Sequence, residues 1–98
     1  MLGYMVIYTV HGYDDSDNNF RNIVKHVLDN HEYMWLGTTT FIRKDNMNNE
    51  HDVNKVKELC NIEKKKLVKD ILELKNERIK SYNPNYKLQV IALYAMSS

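Results

Sequence analysis

One cysteine (Cys60), one proline (Pro84) and three glycines are all that this 98-residue chain has of the residues that staple, break or hinge a backbone. A lone thiol excludes an intramolecular disulfide. No proline or glycine falls between His51 and Lys80, a stretch that can therefore be helical. No apolar run approaches the ~20 residues of a bilayer-spanning helix, so no membrane role is expected. The first residues lack the basic segment and cleavage site of a signal peptide, which makes a cytoplasmic location the expectation. Charge of one sign is also missing. The 14 Lys/Arg and 13 Asp/Glu leave a net charge of +1, giving no global field that would draw in nucleic acid. The chain carries no Walker loop, no dinucleotide glycine fingerprint and no zinc-finger spacing.

What is present suits one small globular domain over residues 1–98, with 43% hydrophobic and 28% charged residues and a thin core. The charge is unevenly placed: residues 1–50 hold 4 Lys/Arg against 7 Asp/Glu, and residues 51–98 hold 10 against 6. The rich asparagine and lysine usage, including Asn46, Asn48 and Asn49, is of the kind common in AT-rich phage genomes.

Tyr4–Val10 is a short apolar, β-prone run and reads as a strand. After a polar break, Phe20, Ile23, Val24, Val27 and Leu28 mark one face of a helix from about Asp17 to Asp29, closed by Asn30. His31–Arg43 is aromatic- and threonine-rich, one bent strand or two short ones around Gly37. Lys44–Glu50 reads as a loop. His51–Lys80 reads as a long helix with an apolar stripe through Val53, Val56, Leu59, Cys60, Leu67, Val68, Ile71, Leu72 and Leu74, with a kink or split possible at 61–66. Ser81–Asn85 terminates it, and Tyr86–Met96 is the last strand. The order βαββαβ predicts an α+β, ferredoxin-like sandwich: an antiparallel sheet with two helices on one face, the second helix long. Aromatics on the other face, Tyr8, Tyr33, Trp35 and Phe41, are then the expected interface of a homodimer.

Residues 4–43, with a strand ending in Tyr8, an amphipathic helix and Trp35–Ile42 (WLGTTTFI), together with 86–94 (YKLQVIALY), resemble the small CRISPR-associated endoribonuclease family, the adaptation-complex subunit, and its stand-alone relatives. The resemblance implies a ferredoxin-like dimer whose strand-one tyrosine is followed by an aspartate that binds a divalent metal across the dimer axis. The matching residue here is Thr9, a poor ligand for Mg²⁺. The long helix departs from that family as well.

Among other candidates, His11, Asp14, Asp15 and Asp17 have the donors for a divalent cation, yet acids before a helix more often cap it. Lys64, Lys65, Lys66 and Lys69 are the densest basic cluster and the candidate nucleic-acid contacts, with interleaved acids that suit a solvated helix face. His26, His31 and His51 share no ligand spacing. Cys60 falls in the apolar stripe, where a thiol is usually inert. Thr38–Thr40 with Gly37 could hold phosphate but suit a strand equally. The favoured reading is a non-catalytic homodimeric protein from a phage or mobile element, without a cofactor. It would bind an unidentified protein or nucleic acid, with action against a host defence system as one expected role. The alternatives are a metal-dependent endonuclease of the adaptation-subunit type and a regulatory partner docking through its long helix.

Overall fold

Alternation along the first strand sets the layers. In a computed structural model, which describes residues 1–45 and 52–94, β1 (Gly3–Val10) buries Tyr4, Val6, Tyr8 and Val10. Its odd-numbered side chains Met5 and Ile7 are half-buried, and Thr9 is exposed. The chain continues through α1 (Asp15–Asn30), β2 (Met34–Gly37), β3 (Thr40–Lys44), α2 (Val53–Arg78) and β4 (Tyr86–Leu93). β1 pairs antiparallel with β3 on one side and β4 on the other, and β2 closes a hairpin on β3. The sheet order is β2-β3-β1-β4. The protein is therefore α+β, with a four-stranded antiparallel sheet and two helices, the second long. Among the described residues no helix is long and apolar enough to cross a membrane.

The helix α1 begins two residues before the expected Asp17 because Asp14 and Asp17 form a reciprocal capping box: each carboxylate accepts from the other's backbone N–H, at 2.9 Å and 3.2 Å. It ends at Asn30, one residue beyond the expected Asp29, with His31 in place of Asn30 as the C-cap. Glu32 then takes the left-handed conformation (φ 66°), while Glu32 N–H donates to Asp29 O and Tyr33 N–H to Leu28 O. Those paired bonds satisfy two carbonyls at the helix end. The His31–Arg43 stretch is two short strands. Thr38 and Thr39 turn the chain, and a register irregularity lies between Trp35 and Gly37.

α2 is a single unbroken helix of 26 residues, about 39 Å long. The eight-residue strands span only about 26 Å, so the helix overhangs the sheet. The expected loop residues 46–50 and the expected helix opener His51 lie outside the described residues, as does Met96.

The core forms where the even-numbered face of β1 meets both helices. Phe20, Ile23, Val24, Val27 and Leu28 of α1 are buried as their spacing predicts, against Val56, Leu67 and Ile71 of α2 and Leu88 of β4. Phe20 packs edge-on against Tyr86 with ring centroids 4.9 Å apart. The α2 stripe differs from the sequence expectation. Val53 and Leu72 are exposed, and Glu63 and Lys75 take buried positions. Glu63 lies four residues before Leu67, so it continues the buried row, and it is fully partnered. Its carboxylate sits 3.1 Å from Arg43 Nη1 and accepts from the Tyr33 hydroxyl at 3.0 Å. Arg43 also donates to His31 O at 3.1 Å and stacks over the Tyr33 and Tyr4 rings. Lys75 Nζ donates to Lys80 O, beyond the helix C-terminus.

Candidate binding surfaces

The loop after β1 and the first turn of α1 contain the candidate metal ligands His11, Asp14, Asp15 and Asp17. Asp14 and Asp17 are committed to the capping box, and the Tyr82 hydroxyl donates a further hydrogen bond to Asp17. That hydroxyl first, and the Asp14 backbone N–H after it, hold the Asp17 carboxyl below the usual carboxylate range against the opposing effect of burial. In return the Tyr82 phenol is pushed up to about 12, by burial first and then by its bond to Asp17. Gly12 has φ +96°, and a Cβ there would collide with the Asp17 carboxylate. Arg21 ties the loop to the helix, donating to Val10 O at 2.7 Å and to Gly12 O, with its guanidinium over the Tyr13 ring. His11 and Asp15 are exposed. The acidic loop is thus held together as a helix cap. Among the described residues no three His, Cys, Asp or Glu side chains are grouped so as to hold a metal ion.

Thr9 sits in a different setting. It lines a cavity of about 590 Å³ on the flank of β4, together with Lys64 of α2 and Lys87 of β4. Among the described residues the lining contains two ammonium groups and no carboxylate. Such surroundings favour anions and disfavour a divalent cation. Of the lysine cluster, only Lys64 borders this cavity. Lys65, Lys66 and Lys69 are exposed, and Lys66 lies 3.7 Å from Glu63.

Of the four aromatics expected at an interface, Tyr8, Tyr33 and Phe41 are 2–5% exposed and belong to the core. The reason is strand parity. Val6 opposes Phe41 and Phe41 opposes Trp35, so all of these side chains point to the helix side. Trp35 is on that side too, but beyond the cover of α1, beside Lys25 and Asp29. It is 61% exposed, with its indole N–H donating to Thr38 O. The helix-free face is built from other residues. Met34 opposes Ile42, Ile42 opposes Met5, and Met5 opposes Ile91. An apolar row therefore crosses all four strands. Its outer members Met34 and Ile91 are 69% and 46% exposed. Sequence alternation contained this row, because Met34 and Leu36 alternate with Tyr33 and Trp35. Which set pointed outward depended on the strand pairing.

Of the remaining candidates, His31 and Cys60 take structural places. His31 Nε2 lies 2.6 Å from Asp70 Oδ2 and ties the end of α1 to α2. The Cys60 thiol is half-buried, and burial, with Glu63 nearby, pushes its pKa up and away from the nucleophilic thiolate. No family model, curated protein or solved structure matches the chain.

Proposed function

We propose that the protein is a non-catalytic binding protein with a ferredoxin-like plan, which pairs with a second copy through the helix-free face of its sheet. The antiparallel order β2-β3-β1-β4, with β1 between β3 and β4, supports the plan. The observation that carries the pairing is the Met34–Ile42–Met5–Ile91 row. A stripe running across a sheet can lie on its own copy about a two-fold axis, which makes the contact self-complementary. Binding is favoured over hydrolysis because the position that the resemblance would give to a metal-binding aspartate is Thr9, and it stands between two lysines. A setting in a phage or mobile element, with action against a host defence system, belongs to the same proposal and rests on composition.

Light scattering and sedimentation of the purified protein test the pairing. A dimer is expected, and replacing the exposed pair Met34→Lys and Ile91→Lys should yield a folded monomer. A wild-type protein that stays monomeric at 100 μM order concentrations, or a double variant that remains dimeric, would overturn the proposed contact. Metal-dependent cleavage of RNA or duplex DNA, lost in Asp14→Ala or Asp15→Ala, would overturn the non-catalytic reading.

A further inference from the structure

The outer edge of β4 and the flank of α2 enclose a groove whose chemistry selects one kind of occupant. β4 ends the sheet, and among the described residues no strand pairs with its outer side. His11 N–H donates to Asn85 O at 2.8 Å. With the β1–β4 register, this makes the odd-numbered residues of β4 the ones that bond β1. By antiparallel alternation the N–H and C=O groups of Tyr86, Leu88, Val90 and Ala92 then point outward. α2 runs along this edge in the opposite direction: Lys57, Cys60 and Asn61 accompany Val90–Ala92, while Lys64 and Val68 accompany Tyr86–Gln89. The two cavities, about 590 Å³ and 350 Å³, lie consecutively along β4.

The charge of this groove is one-sided. Lys57, Lys64 and Lys87 border it, and among the described residues neither cavity has an Asp or Glu in its lining. The carboxylates Asp70, Glu73 and Glu77 of the same helix border the separate cleft against α1. α2 thus divides its charges, with acids toward α1 and lysines toward the open strand edge. Ile7, Val68 and Val90 contribute apolar side chains to the lining, and Thr9 and Gln89 polar ones.

From this we infer that the β4 edge is a receptor for an extended, acidic segment of another protein. The segment adds as a fifth strand, with its carboxylates meeting Lys57, Lys64 and Lys87. A strand edge offers main-chain donors and acceptors in a repeating row, which an extended polypeptide matches and a phosphodiester backbone, lacking donors, does not. Charge complementarity then sets which polypeptide is accepted. This surface shares only Ile91, at the end of the Met34–Ile91 row, and does not require self-association.

The test uses fluorescence anisotropy of the full chain with labelled ten-residue peptides of alternating valine and glutamate. Controls are the same peptide with lysine for glutamate, one with two central prolines, and a single-stranded oligonucleotide. The acidic peptide should bind saturably and weaken as salt rises, and the lysine and proline peptides should bind at least tenfold more weakly. Lys64→Glu with Lys87→Glu should reduce acidic-peptide binding at least tenfold, while Lys65→Glu with Lys69→Glu, on the solvent side of the same helix, should change it less than twofold. Amide NMR shifts on titration should centre on Tyr86, Leu88, Val90 and Ala92. Equal affinity for acidic and basic peptides, a preference for the oligonucleotide, amide shifts confined to other strands, or concentration-dependent self-association through β4 would each overturn the inference. Met34→Lys, on β2 and outside both cavities, should loosen the dimer yet keep the peptide affinity, so failure of the dimer and failure of the groove are read separately.

Discussion

Removing the Glu63 carboxylate is the most demanding perturbation the core offers. Glu63 is 3% exposed, and its carboxylate partners are Arg43 at 3.1 Å, the Tyr33 hydroxyl at 3.0 Å and, at the solvent side, Lys66 at 3.7 Å. In Glu63→Ala the guanidinium keeps, among the described residues, His31 O and the faces of the Tyr33 and Tyr4 rings. Breaking a buried pair from one side costs about 3–5 kcal/mol. The Arg43 side chain retains 20% exposure, so the lower end applies, about 3 kcal/mol. The orphaned Tyr33 hydroxyl adds about 1 kcal/mol. A loss near 4 kcal/mol is a large part of the roughly 5–15 kcal/mol expected for a domain of this size. In urea unfolding, with a slope of about 1.5 kcal/mol per molar, the midpoint should fall by roughly 2–3 M. Glu63→Gln keeps volume and acceptor and should cost about 2 kcal/mol, the difference between a charged and a neutral acceptor. The decisive measurement is a double-mutant cycle. Glu63→Leu with Arg43→Met replaces both charges by apolar groups, and the pair should be markedly more stable than the sum of the single losses implies. A Glu63→Ala cost below about 1 kcal/mol, or a coupling near zero, would falsify the account of a buried pair holding α2 to β3.

Two further predictions concern the ends of α1. Because its folded-state pKa is depressed, Asp17 contributes stability above the ordinary carboxylate range, and that stability is lost as pH falls through the depressed value. Tyr82→Phe removes the largest cause of the depression, so the urea midpoint of the variant should fall less steeply below about pH 4 than that of the wild type; parallel acid limbs would contradict it. At the other end, Glu32 occupies a left-handed position that costs a non-glycine residue about 1–2 kcal/mol. Glu32→Gly should therefore raise stability by about 0.5–1 kcal/mol, a few degrees in Tm, after the greater freedom of glycine in the unfolded chain is counted. A lower Tm in calorimetry would show that the Glu32 side chain contributes something the backbone argument omits.

Local chemistry wrote much of this protein directly into its sequence. Apolar spacing from Phe20 to Leu28 named the buried face of α1, the Asp14–Asp17 pair carried its own capping geometry, and the absence of proline and glycine from 51–80 marked a long helical stretch while leaving its continuity at 61–66 open. Each of these depends on neighbours within about four residues, the range over which a chain reads its own period. Other features required partners far apart in sequence. The Glu63–Arg43 pair joins residues 20 positions apart on different elements, and neither residue type alone announces burial. The direction of the alternating aromatics was likewise undecided until pairing fixed which side of β2 and β3 met the helices. Tyr33 and Phe41 then went inward, and Met34 and Ile42 were left outward. The one-sided charge of the β4 groove arises because a helix divides its faces between two neighbours, and only the packed arrangement determines which neighbour receives the lysines.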